Sequence, residues 1–308
     1  MNLTNLFLGG IGAFVLATML EAIPFLLLGS LISSVVHVYL PDRVFTGIAR
    51  RSGVLGVLIG LFGGLVFPTC ECGVVPIVKR LLGRGLPPRT AITYMLAAPV
   101  INPIVIASTW TAFRGDLRMV LARVGTVAFV AVLVGVIVDA SGKRGNKVVK
   151  SDETHRGDDC STACECGEDH PRQRRIVSVL THTTEEFFTM GSYFLLGAFA
   201  AALVKMFLPQ EVLLFFSKNS VASILVMMAL AVLLSVCSEA DAFVANSLSF
   251  FPLASRLSFI TLGPMVDIKL ILMYRATFTR KTMLILIAVP PVAVFIISLV
   301  FQYLVGGV

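Results

Sequence analysis

The stretch Phe67-Pro68-Thr69-Cys70-Glu71-Cys72-Gly73-Val74-Val75-Pro76 sets two thiols and a carboxylate in an otherwise apolar run, since residues 54–69 carry no charge. Thiolates are soft ligands that select soft metals and metalloids over hard cations. Glu71, lying between Cys70 and Cys72, is a proton acceptor able to free a thiolate beside it. Prolines on both sides are expected to remove helical hydrogen bonds and expose backbone groups. In hydrocarbon such a break is tolerated only where protein or a water-filled cavity surrounds it. The plainer reading is a kinked span with two inert packing cysteines. A second motif, Cys237-Ser238-Glu239-Ala240-Asp241, argues against it by repeating the association of thiol and acid.

Two further breaks sit downstream of these motifs. Ala98-Pro99-Val100-Ile101-Asn102-Pro103 and Gly263-Pro264-Met265-Val266-Asp267 place prolines, an amide and an acid within apolar segments. Broken helices of this kind offer backbone amides and carbonyls to a ligand. Lys269 follows Asp267 by two positions. Residues two apart do not share a helix face, so the two are predicted not to pair. Lys269 is expected instead to meet Glu239 or Asp241 in a charge relay or anion site, against the simpler reading of a lysine snorkelling to the surface. Glu21, beside Pro24 in the first span, is expected to point into the protein, because a carboxylate facing lipid is costly. In a polar segment, Cys160-x3-Cys164-x-Cys166 lies between His155 and His170. Zinc ribbons favour Cys-x2-Cys pairs, so this spacing points to a soft or borderline ion, or to no ligand at all in a reduced, flexible linker.

The elements that must position these groups are membrane helices. Of the 308 residues, 56% are hydrophobic and 14% charged, with a mean hydropathy of +0.90, more apolar than a soluble core of this size requires. The net charge of +7 does not indicate nucleic acid, because lysines and arginines cluster between apolar runs, as the positive-inside rule produces. Residues 140–175 differ in kind: they are polar, rich in both charges and poor in large apolar side chains, the composition of a mobile linker. The chain therefore divides into a first membrane repeat at 1–139, a linker at 140–175 that is expected to be cytoplasmic, and a second membrane repeat at 176–308.

Duplication rests on a ladder of landmarks. Gly29 precedes Pro41, and Gly197 precedes Pro209, by 12 positions; Pro41 precedes Cys70 by 29 and Pro209 precedes Cys237 by 28. Cys70 to Pro99 is 29 and Cys237 to Pro264 is 27, while Phe113 and Phe278 each fall 14 beyond their proline. Matches in register argue for an internal repeat. Charge placement then sets topology. If each motif segment enters and returns on one side, 18 loop bases lie inside and five, Arg114, Arg118, Lys205, Lys218 and Arg256, lie outside. Eight full spans give 13 against 10. The orientation rule favours the first arrangement: an all-α polytopic protein of two inverted repeats, each with three full spans plus a re-entrant or broken hairpin, with eight full spans as the alternative.

Phe-Pro-Thr-Cys-Glu-Cys-Gly followed by Ala-Ala-Pro-Val-Ile-Asn-Pro-Ile resembles the predicted permease family that includes the organoarsenical efflux permease ArsP, over nearly the whole chain. The resemblance implies an integral membrane transporter, exporting trivalent organic arsenicals in some members. The positions it carries over are Cys70, Glu71, Cys72, Gly73, Pro99, Asn102 and Pro103. From the residues themselves, Cys237, Glu239, Asp241, Pro264, Asp267 and Lys269 complete the expected translocation site, and Cys160, Cys164 and Cys166 form a separate candidate metal site. The expected activity is passage of a small thiophilic solute across the cytoplasmic membrane, without cofactor or nucleic acid and without enzymatic turnover. No nucleotide-binding Gly-x-x-x-x-Gly-Lys-Ser/Thr loop is present on the chain. Membrane lipid surrounds such a protein, and the sequence leaves room for a second copy or an accessory subunit. The rival is a thiol-disulfide oxidoreductase using Cys70 and Cys72, although catalytic thiols favour Cys-x-x-Cys.

Overall fold

The computed structural model describes residues 54–66, 69–83, 85–142, 148–149 and 219–305, with scattered positions between 12 and 31 and between 180 and 199. Glu21, the linker cysteines Cys160, Cys164 and Cys166, and His155 and His170 lie outside the described residues, as does the side chain of Cys72. Every regular element among them is a helix. The first half supplies α1 (Val54–Val66), α2 (Glu71–Gly83), α3 (Pro88–Ala97), α4 (Pro103–Ala112) and α5 (Leu117–Gly142). The second supplies α6 (Ser220–Leu234), α7 (Asp241–Ser247), α8 (Leu253–Leu262), α9 (Ile268–Thr277) and α10 (Arg280–Val305).

Local chemistry explains where these helices start and stop. Pro88 and Pro103 occupy first-turn positions in α3 and α4, where a missing N–H costs nothing. Asn102 caps α4 by accepting the Ile104 N–H at 2.9 Å, and Asp267 caps α9 by accepting the Leu270 N–H at 2.6 Å. The α3–α4 and α8–α9 breaks are thus matched, each holding a proline, Pro99 or Pro264, in its turn. Ser235 ends α6 in the left-handed region, at φ 48°, a conformation that strains a residue with a Cβ. Pro76 departs from expectation. It lies inside α2 without ending it, because one missing donor costs a helix a single bond when the neighbouring turns are packed.

Packing between helices largely repeats. The contacts α1–α3, α2–α3, α3–α5, α4–α5 and α1–α5 recur as α6–α8, α7–α8, α8–α10, α9–α10 and α6–α10. Across the halves α2 meets α9 and α4 meets α7, two contacts that exchange under the same correspondence, and α5 meets α10. Glycines allow the closest approach: a Cβ on Gly60 would stand 2.6 Å from the Thr90 carbonyl, and one on Gly64 2.5 Å from the Ala98 Cα. Small residues let backbones meet in this way within lipid.

These contacts fix chain direction. Gly60 faces Thr90 and Tyr94 while Gly64 faces Ala98 and Ile101, so α1 runs parallel to α3. Likewise Ser223 meets Ser255 and Gly263 lies against Ala231, so α6 runs parallel to α8. Since α3 begins directly after α2, and α8 directly after α7, each short pair goes in and comes back. Gly142, at the end of α5, lies beside Val148; Val149 bridges to Phe278, and the Thr279 N–H donates to the Val148 carbonyl at 3.1 Å. The end of α5 therefore stands at the start of α10, and these equivalent helices run antiparallel. Each has 26 residues, about 39 Å at 1.5 Å per residue and enough for the roughly 30 Å hydrocarbon core. By the same measure the 15 residues of α6 reach only about 22 Å.

The larger core gathers residues of α2, α3, α5, α9 and α10 around Val75, Leu96, Val130, Leu270 and Tyr274. A smaller one joins Ala112, Phe113 and Met119 of the first half to Met227, Leu257 and Phe259 of the second. Large apolar side chains also cover the outside, including Leu121, Phe129 and Val136 on α5 and Leu284, Val292, Ile296 and Val300 on α10. A helix that is apolar on every face belongs in lipid or deep in a core, and among the described residues no core covers these faces.

Candidate functional site

The tips of the two short hairpins meet the breaks of the opposite half. At the first tip, Cys70 is half-buried against the larger core, and its Sγ accepts the Gly73 N–H at 3.3 Å. Its carbonyl accepts the Val74 N–H at 3.1 Å, opening α2 at Glu71. Gly73 is buried in that first turn. At the second tip, the Cys237 carbonyl accepts the N–H groups of Ala240 and Asp241, at 3.0 and 2.9 Å, leading into α7. Cys237 and Glu239 are half-buried, and neither Cys70 nor Cys237 is in a disulfide.

Among the described residues, five ionisable side chains are enclosed where the halves meet: Glu71, Arg123 and Asp241 are 1% exposed, and Asp267 and Lys269 are 0% exposed. Arg123, on α5, donates to Thr109 Oγ1 at 2.6 Å, to the Ser238 carbonyl at 3.1 Å and to Asp241 Oδ2 at 2.7 Å. One guanidinium thus ties α4 and α5 of the first half to the second hairpin. Across the diagonal contact of α2 with α9, Lys269, Asp267, Cys70 and Asp241 all lie within electrostatic reach of Glu71. Neither Glu71 oxygen hydrogen-bonds to a described residue. Ser235 faces the Asp267 carboxylate, so the strained end of α6 borders the same cluster.

Two expectations about Lys269 are corrected. Its Nζ stands 3.7 Å from Asp267 Oδ2, although the spacing of two argued against their meeting. The rule applies within a helix, and Asp267 is an extended cap at φ −139° that lies outside the helical register. Nor does Lys269 snorkel: it is wholly buried, and its position opposite α2 turns it toward Glu71. Asp241 is taken by Arg123. Arg123 is the residue the motifs did not indicate. The signal available was arithmetic, since 23 of the 25 lysines and arginines fall in the segments that the charge count assigns to one face or the other, and Arg123 and Lys269 are the two left over.

Pro99 and Pro264 shape the turns, and Asn102 and Pro103 start α4; Asn102, itself buried, spends its side chain on the cap. Among the described residues no group of three or more His, Cys, Asp or Glu is arranged to hold a metal ion. A recess of about 440 Å³ opens elsewhere, between Arg275, Phe278, Arg280 and Met283, and shares no residue with the charge cluster.

Against known proteins, residues 7–303 match the family model described as a predicted permease. The chain is 38% identical over 274 residues to UPF0718 protein YcgR of Bacillus subtilis, covering 88% of this chain and 90% of that protein. It is 35% identical over 295 residues to a Streptococcus mutans protein whose name describes a subunit of a two-component membrane permease complex, covering 94% of this chain and 93% of the relative. No solved structure matches the chain.

Proposed function

The chain belongs to the predicted-permease family that its sequence resembles, and from that premise we propose that it is a secondary transporter moving a small thiophilic solute through a site between its two halves. Trivalent organoarsenicals, or a related soft metalloid or sulfur compound, are the solute class that thiols at Cys70, Cys72 and Cys237 would accept. The observation that carries the reading is the buried cluster of Glu71, Asp241, Asp267, Lys269 and Arg123, drawn from both halves of a helix bundle with an apolar exterior. Ionisable groups are expensive inside a membrane and mark solute and ion pathways there. Pro99, Asn102, Pro103, Pro264, Gly73 and Glu239 would shape the break and tip around it.

The antiparallel course of α5 and α10 supports two inverted repeats over eight full spans, which would make the two helices parallel and set the end of α5 and the start of α10 on opposite faces. The in-and-back course of α1–α2 and α6–α7 supports re-entrant hairpins. With 18 loop bases on the linker side and five on the other, that side is the cytoplasm. The Streptococcus relative's name favours an accessory subunit, and Cys160, Cys164 and Cys166 would serve as a loading site on the linker.

Everted membrane vesicles supply the test. Uptake of a trivalent methylarsenical should fall at least tenfold in the Cys70→Ser/Cys72→Ser double variant at unchanged protein level. Uptake equal to that of the unaltered protein removes the thiols from the pathway, and a trapped mixed disulfide at Cys72 points to an oxidoreductase instead.

A further inference from the structure

We infer that Glu71 binds the proton whose movement drives transport, with Lys269 as the charge that reads its occupancy; this rests on the permease reading above. Among the described residues, three acids and two bases are buried where the halves meet. Arg123 pairs with Asp241 at 2.7 Å, and Lys269 stands 3.7 Å from Asp267. Glu71 is the surplus acid, and both its oxygens lack a hydrogen-bond partner among the described residues. A bare carboxylate enclosed in that way carries a prohibitive desolvation cost, and a protonated one far less. The structure therefore corresponds to the proton-loaded form.

The surroundings also make the other form reachable. The groups within electrostatic reach of Glu71 are Cys70 on its own segment, Asp267 and Lys269 from α9, and Asp241 from α7; α3, packed along α2, adds none to that set. Glu71 occupies the first turn of α2, where the helix dipole favours an anion. Once the proton leaves, Glu71 and Asp267 compete for one ammonium across the contact between the halves. Proton occupancy then changes the attraction of α2 for α9, which biases their relative placement. Solute held at Cys70 sits one residue away, so solute and proton affect each other's affinity reciprocally. The same ammonium disfavours a metal cation, which would also need several oxygen ligands.

The purified full-length chain, reconstituted in lipid, provides a readout independent of any solute: infrared difference spectra recorded across a pH titration. The unaltered protein should show the C=O stretch of a protonated carboxyl that disappears as pH rises. Glu71→Gln should lack this band, Glu71→Asp should shift it, and Asp241→Asn should retain it. Persistence of the full band in Glu71→Gln overturns the assignment. So does its collapse on adding sodium chloride at fixed pH, which identifies a metal-cation site. In proteoliposomes, one unit of pH gradient can sustain at most about a tenfold accumulation at one proton per solute. With a trivalent methylarsenical as probe, Glu71→Gln should equilibrate the solute without accumulating it, and accumulation equal to that of the unaltered protein overturns coupling through Glu71. A protein that moves no arsenical yet shows the Glu71 band supports the proton site and refutes the solute assignment alone.

Discussion

At the tip of the second hairpin, Asp241 enters α7 gripped by Arg123, which at the same time holds Thr109 and the Ser238 carbonyl. At the tip of the first, Glu71 enters α2 with no hydrogen bond from either oxygen to a described residue, facing a lysine that stands beside another acid. The two hairpins pack alike, and their helices make exchanged contacts with the opposite half. The architecture of the tips is shared while their electrostatics differ. One tip is a joint between the halves, and the other presents an acid with no hydrogen bond to a described residue.

The sharpest way to break this comparison is at the joint. Arg123→Ala leaves Asp241 and two polar partners stranded and should cost about 3–5 kcal/mol, the usual penalty for removing one member of a buried pair. It should appear as a large fall in the unfolding temperature of the detergent-solubilised protein. Next in size is the close approach of the first hairpin: Gly64→Leu must push α1 off α3, where Ala98 and Ile101 leave no room. Overpacking of this kind costs about 1–3 kcal/mol, and protease protection of α1 should drop with it. Removing a cap is milder, with Asn102→Ala expected to lose about 1 kcal/mol while Asn102→Asp stays near the unaltered protein in the same melt. Smallest of all is Glu71→Gln. It is nearly isosteric and deletes no hydrogen bond to a described residue, so its melt should move less than that of Asn102→Ala. A Glu71→Gln melt as depressed as that of Arg123→Ala would erase the distinction between the two tips.

Much of the fold was legible in the chain. Pro99 with Asn102, and Pro264 with Asp267, mark the breaks because proline and capping residues act through their own backbone and immediate neighbours. The in-and-back course proposed for the hairpins rests in part on the placement of charge, through an orientation rule for lysines and arginines that needs no coordinates. The pairing of Lys269 was misread. Periodicity predicts which side chains share a face inside a helix, and Asp267 sits just outside one, in extended backbone. Arg123 went unnoticed because its partners lie far from it in sequence: Thr109 is 14 positions away, Ser238 115 and Asp241 118.

Sequence alone determined that the chain is apolar enough for a membrane and where its thiols and acids interrupt the apolar runs. These are properties of composition, spacing and local backbone preference, and each is complete within a few turns of chain. Only tertiary structure decided which acid is held and which is not. That choice depends on side chains from opposite halves arriving at one buried place, where a neighbour a few ångströms nearer or farther fixes whether a charge is matched.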